Sequence, residues 1–136
     1  MSRAVDAESL FQSTPVNRFL GFSLLSYDES GAELAMPPRP EHIQEKGVVQ
    51  GGILTALADT AAVYALLPQL PPELDMTGVE LKMNFLRPAL ADRGELRARS
   101  RVVQRGRRIG VCQVEVIQAD RPVAVGTFTY LFFERG

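Results

Sequence analysis

The run from Gly47 to Leu67 leaves this chain fewer choices than any other stretch. Gly47-Val48-Val49-Gln50-Gly51-Gly52 leads into Ile53 through Leu67, a string of strong helix formers that Pro68 stops, so the spacing predicts one long helix. Nearly every side chain in it is apolar, and a helix apolar on all sides belongs in a core. Asp59 is its only ionisable residue. A carboxylate buried alone costs several kcal/mol unless a partner satisfies it or a reaction uses it. At about 100° per residue, Gly52, Thr55, Ala56, Ala62 and Val63 share the face of Asp59, while Leu54, Leu57, Ala61 and Tyr64 lie opposite. The bulky face suits packing on a sheet, and the small one leaves room for a ligand or a second backbone. The residues alone leave two readings of Asp59 open: a catalytic carboxylate, or one that bonds a nearby hydroxyl or amide.

The length of 136 residues suits a single domain, 1–136, with a sizeable core. Net charge is -1, which removes any general electrostatic case for nucleic acid or membrane surfaces. Cys112 is the one cysteine and His42 the one histidine, so an intrachain disulfide is excluded and a metal site lacks its usual donors. Cys112 alternates with apolar neighbours and reads as core. Met1 to Asp6 lack a basic-then-apolar leader pattern, which predicts a cytoplasmic protein. A transmembrane reading of the central helix is disfavoured by its short length, by Pro68, Pro71 and Pro72 at its end, and by Asp59 at its middle.

Either side of that helix the pattern changes period. Asp6 to Gln12 suits a short amphipathic helix, and Thr14-Pro15 can cap a second turn through Phe19. Phe22 to Tyr27 and Ala32 to Met36 read as strands joined by the turn formers Asp28-Glu29-Ser30-Gly31, and Pro37 to Lys46 as a loop. After the prolines, Thr77 to Leu86 sets Val79, Leu81, Met83 and Phe85 against Glu80, Lys82 and Asn84. Glu95 to Val103 sets Leu96, Ala98 and Val102 against Arg97, Arg99 and Arg101, and Ile109 to Gln118 and Val123 to Phe133 complete the set. Antiparallel strands with one polar face need a cover for the other, and only the central helix can supply it. The prediction is an α+β domain whose curved antiparallel sheet wraps around one long helix.

Between Lys82 and Arg108 nine basic residues stand against Asp92 and Glu95. Arg97, Arg99 and Arg101, two apart, read as a solvated strand face. Arg105, Arg107 and Arg108 crowd a turn instead, and clustered guanidiniums beside exposed amides suit a phosphate-bearing ligand.

The order strand, strand, Gly51-Gly52, helix with one acid, then Val79-Glu80-Leu81-Lys82-Met83-Asn84-Phe85-Leu86-Arg87-Pro88 resembles the hotdog-fold acyl-CoA thioesterases, in particular the phenylacetate-degradation type. Gly51-Gly52, Leu57-Ala58-Asp59, Asn84 to Ala89 and Gly106-Arg107-Arg108 carry the likeness, which spans roughly Asn17 to Phe133. It implies hydrolysis of an acyl-CoA thioester, with coenzyme A as part of the substrate and no separate cofactor. It implies Asp59 as general base or nucleophile, the Gly51 amide polarising the thioester carbonyl, and Gln44 holding water or the thioester. Gln50 and Gly52 stand where most relatives continue a His-Gly-Gly run, and Gly78 stands where many have Ser or Thr, with Thr77 beside it. These four and Val63 are expected to line the acyl site. Phe85 and the turn of Gln104, Arg105, Gly106, Arg107 and Arg108 are expected to contact coenzyme A.

Thioester hydrolysis needs a carboxylate to attack or to activate water, and donors where the oxyanion develops. A helix N-terminus led by glycine supplies such donors. Eight residues separate Gly51 from Asp59, roughly 12 Å along the axis at 1.5 Å per residue, so one chain cannot bring both to one substrate. The spacing predicts a homodimer with composite sites, and the resemblance implies pairing of dimers into a tetramer. Two other functions stay open: a hotdog hydratase or dehydratase, for which His42 is the only imidazole and otherwise an exposed loop residue, and a non-catalytic acyl-CoA binder.

Overall fold

The computed structural model describes residues 3–136, and side chains from Ala7 onward. Met1 and Ser2, where the leader reading begins, lie outside the described residues. Two short helices, α1 (Arg3–Ser13) and α2 (Pro15–Leu20), precede the hairpin of β1 (Ser23–Asp28) and β2 (Gly31–Met36). Then come α3 (Gly51–Leu66), β3 (Leu74–Phe85), β4 (Leu96–Arg105), β5 (Ile109–Gln118) and β6 (Arg121–Glu134). The strands pair antiparallel in the order β1-β2-β4-β5-β6-β3, so the strand that follows the long helix crosses to the far edge of the sheet. The α+β expectation is met: one sheet curls around one long helix.

Local chemistry explains most boundaries. Pro15 occupies the first turn of α2 as expected, but Thr14 does not cap it; its hydroxyl donates to the Leu10 carbonyl at 2.7 Å instead. In the first hairpin Asp28 Oδ1 accepts from the amides of Ser30 (2.8 Å) and Gly31 (3.1 Å) and from the Ser30 hydroxyl (2.6 Å). These bonds hold the Asp28 carboxyl below its ordinary pKa. Gly31 is required by close approach, because a Cβ there would lie 2.0 Å from the Ser100 carbonyl oxygen. Pro68 ends α3 one residue early, and Leu67–Gln69 continue as a single 3-10 turn. Helix and turn together run 19 residues, long enough to cross a bilayer, so shortness is not what argues against a span. Leu54, Leu57 and Ala61 are buried, as their shared face predicts, and Tyr64 on the same face packs its ring on Phe11 of α1 with centroids 5.2 Å apart.

Two features depart from the expected pattern. In β3 the alternation is broken: Gly78 pairs with Tyr130 but Glu80 pairs with Thr129, leaving Val79 as an extra residue. Met76 and Gly78 therefore face the helix side before the bulge, and Leu81, Met83 and Phe85 after it. Among the described residues nothing covers the outer side of that edge strand, whose Val79, Leu81 and Phe85 are about half exposed. The second departure is α3 itself, which is not buried all round. Gly51, Ile53, Thr55, Ala56, Asp59, Thr60 and Val63 are only partly covered, and they form one face beside β3.

Candidate active site

Asp59 sits on that uncovered face, half-buried rather than sequestered, which corrects the expectation of a fully enclosed charge. Its Oδ1 accepts a hydrogen bond from the Tyr130 hydroxyl, and the same hydroxyl lies 3.2 Å from the Asp59 main-chain carbonyl. Two small clefts meet at the carboxylate. One, of about 380 Å³, is lined with Gly78, Val79, Glu80, Leu81, Phe128 and Tyr130; the other, of about 210 Å³, with Val63, Leu67, Asp75, Met76, Thr77, Gly78 and Tyr130. Of the acyl-site residues named from sequence, Val63, Thr77 and Gly78 are thus brought to Asp59. Tyr130 is the member that sequence reasoning missed. It is 3% exposed on β6, directly opposite Gly78. Burial first, then the Asp59 charge and their hydrogen bond, push its phenol well above the ordinary tyrosine range. The signal was present in the inward phase of Phe128, Tyr130 and Phe132, but assigning Tyr130 to Asp59 required the β3–β6 register.

At the other end of the same helix, the amides of Gly51 and Gly52 have no acceptor among the described residues, as the first turn of a helix dictates. The Phe85 ring lies over Gly51: a Cβ on Gly51 would come within 3.0 Å of Phe85 Cζ. Gln50 folds back, its Oε1 2.7 Å from where a Gly52 Cβ would stand. Gln44 is exposed in the loop before the helix, its amide bonded to the Val48 carbonyl at 2.9 Å, and it lines neither cleft at Asp59. One protomer therefore separates the glycine end, with Gln44, Gln50, Gly52 and Phe85, from the Asp59 end, as the 12 Å helical spacing requires (roughly).

The arginine turn forms a third cluster. Arg105, Gly106, Arg107 and Arg108 edge a cleft of about 980 Å³ whose apolar wall includes Leu70, Leu74, Phe132 and Phe133, and Gln104 adjoins it. Arg105 is not free to act as its neighbours do. Its Nη2 donates to the Ala65 carbonyl (3.2 Å) at the end of α3 and to the Glu29 carbonyl (2.9 Å) in the first hairpin. Phe85 is not part of this cluster either. It ends β3 while Leu74, in the cleft wall, begins it, roughly 35 Å away at about 3.3 Å per residue. Phe85 and the arginine turn therefore lie far apart within one chain.

His42 also departs from expectation. It is 1% exposed, its Nδ1 accepts from the Arg39 amide at 3.0 Å, and its Nε2 lies 2.8 Å from the Leu20 carbonyl. A carbonyl only accepts, so Nε2 carries the proton, and both nitrogens are committed to holding the loop. No imidazole stands beside Asp59. Cys112 is core as read, and burial pushes its thiol up to about 11.

A carboxylate in a cleft and free amides at a helix N-terminus are groups that acyl transfer can use. The comparisons agree with that chemistry. A profile described as the thioesterase superfamily matches residues 46–125, the helix and the strands that flank it. This chain belongs to the thioesterase superfamily. The hydrolase is 29% identical over 121 residues to the acyl-coenzyme A thioesterase PaaI of Escherichia coli, covering 88% of this chain and 84% of that one. The solved structure of E. coli PaaI, from the phenylacetic acid degradation operon, matches with a TM-score of 0.86 at 27% identity over 98% of this chain and 94% of that one. A thioesterase family protein from Silicibacter pomeroyi matches with a TM-score of 0.89 at 27% identity over 98% and 100%. The medium/long-chain acyl-CoA thioesterase YigI of Salmonella typhimurium is 26% identical over 133 residues, 86% of this chain and 84% of that one. The protein is a hotdog thioester hydrolase of the PaaI type.

Proposed function

We propose that this thioesterase hydrolyses acyl-CoA to a free acid and coenzyme A at composite sites of a cytoplasmic homodimer. The observation that carries the reading is the uncovered face of α3: Asp59 and the Gly51 amide both open on it, two turns apart, beside a hydrophobic edge strand whose outer side meets no strand among the described residues. A second copy paired along β3 sets one protomer's Asp59 opposite the other's Gly51. The Gly51 amide then polarises the thioester carbonyl, with Gln44 and Gln50 holding water or the thioester beside it. As base, Asp59 takes a proton from water, whose hydroxyl adds to the carbonyl carbon; the oxyanion collapses, the carbon–sulfur bond breaks, and the thiolate of coenzyme A takes up that proton. As nucleophile, Asp59 adds to the carbonyl carbon, the thiolate leaves with an acyl–Asp59 anhydride behind it, and water then hydrolyses the anhydride to the free acid.

The acyl group occupies the clefts lined by Val63, Thr77 and Gly78, whose small residues admit aryl or medium-chain groups. The coenzyme A chain runs from Phe85 of one protomer towards the other's arginine turn, where Arg107 and Arg108 take phosphate. Pairing of two such dimers into a tetramer belongs to the same proposal.

Mixing decides the shared site. Asp59→Asn chains and Gly51→Pro chains are each expected to be inactive, because proline fits the first turn of a helix but carries no amide proton. The mixed dimer regains one working site; a mixed dimer that forms and stays inactive sinks the proposal. In the homodimer, Asp59→Asn is expected to lower thiol release from acyl-CoA by about 100-fold. A binder without hydrolytic activity releases no thiol across a panel of acyl-CoA substrates, and the same panel reads out the preferred acyl group.

A further inference from the structure

We infer that Tyr130 is a positioning residue for the reaction: its hydroxyl holds Oδ1 of Asp59 so that the second carboxylate oxygen faces the thioester. This rests on the reading of Asp59 as base or nucleophile and adds the group that aims it.

Three observations carry it. First, the donor is fixed. Tyr130 is 3% exposed and anchored on β6 opposite Gly78, and both potential acceptors of its hydroxyl, Oδ1 and the main-chain carbonyl, belong to Asp59. Second, the donor is neutral. Among the described residues no Lys, Arg or His lines either cleft at Asp59; the other titratable groups there are Asp75 and Glu80 of β3. A guanidinium or ammonium in that place would hold the carboxylate ionised but weaken it as a base, whereas a phenol orients it at less cost in basicity. Burial also keeps the phenol protonated, and so a donor, across the neutral range. Third, the strand opposite presents no side chain to the ring, because Tyr130 pairs there with Gly78. A Cβ on Gly78 would lie 3.6 Å from Tyr130 Cε1 and 3.7 Å from Cδ1, so β3 carries no side chain between the ring and the cleft. The same distances are ordinary contacts, so serine fits at 78 and sets a hydroxyl at the edge of both clefts from the opposite strand.

Thiol release from phenylacetyl-CoA is measured for the wild-type homodimer and for Asp59→Asn, Tyr130→Phe, and Tyr130→Phe with Gly78→Ser. Tyr130→Phe removes one oxygen and keeps the ring. It is expected to lower kcat about tenfold or more while KM stays within about twofold, the pattern of an interaction that matters in the transition state. An unchanged kcat, or a KM that rises with kcat intact, overturns the inference. Where Tyr130→Phe also lowers Tm, the double variant decides: recovery of kcat without recovery of Tm supports positioning, and no recovery of kcat overturns it. Asp59→Asn separates the two claims. If it keeps its turnover, the role of Asp59 fails; if it is inactive and Tyr130→Phe is not impaired, only the role of Tyr130 fails.

Discussion

Buried protons, among them those of Tyr64, Cys112 and Tyr130, tie stability to alkaline pH. The Cys112 thiol is pushed from 9.0 up to about 11 by burial, and the Tyr130 phenol is raised from 10.0 by burial and by the Asp59 charge. In both cases the folded state keeps a proton that the unfolded chain releases at the ordinary value. Their contribution is therefore complete below about pH 9 and is lost as pH rises through the folded values. Tm is expected to fall between pH 9 and pH 11, and to fall less steeply in Cys112→Ala; equal slopes count against Cys112 as a cause. Ser100 shows a different residue effect. It is 8% exposed on β4, accepts from the Ala32 amide at 3.0 Å and donates to the Ala61 carbonyl at 2.7 Å, tying sheet to helix. Ser100→Ala should cost about 1 to 2 kcal/mol in urea denaturation. Neither Ser100 nor Tyr130 was legible from its neighbours: periodicity marks a position as inward, but a hydroxyl's partner lies on another element.

For the elements, the most informative case is the last turn of α3, which contains no basic residue of its own. Arg105 reaches it from β4 and bonds the Ala65 carbonyl, satisfying one of the acceptors that a helix end leaves free. The arginine cluster read from sequence as one unit is thus divided. Arg105→Met is expected to lower stability by about 1 kcal/mol, read by thermal or urea unfolding. Arg107→Gln with Arg108→Gln should leave Tm nearly unchanged and raise KM for acyl-CoA at constant kcat. An equal loss of stability in both variants would reunite the three. The strand face carrying Arg97 and Arg99 was legible: they pair with Glu33 and Glu95 at 2.8 to 2.9 Å and point outward. The bulge at Val79 was not, because an extra residue is visible only against the strand it pairs with.

At the scale of the whole molecule, β3 is the consequence of topology. A twelve-residue strand at the sheet edge, with half-exposed Val79, Leu81 and Phe85, is a surface that soluble proteins pair or protect. Leu81→Lys introduces a charge on that edge, at a side chain that also lines the cleft at Asp59, so the deciding result is an active monomer rather than a loss of activity. The variant is expected to give a folded monomer by size-exclusion chromatography and to lose thiol release with the dimer. An active monomer would remove the need for composite sites.

The chain by itself determined the long helix, its sheet-facing side, the strands and their outward arginines, the core thiol and the one acid on the long helix. These are local periodicities and compositions, readable along one dimension. Tertiary structure decided which hydroxyl meets that acid, that His42 is locked in a loop, that Arg105 caps a helix, and that Phe85 and the arginine turn lie beside opposite ends of β3. The His42 lock depends on where two loops meet and the others on strand order and register, which set neighbours across tens of residues and leave no mark in the sequence on either side.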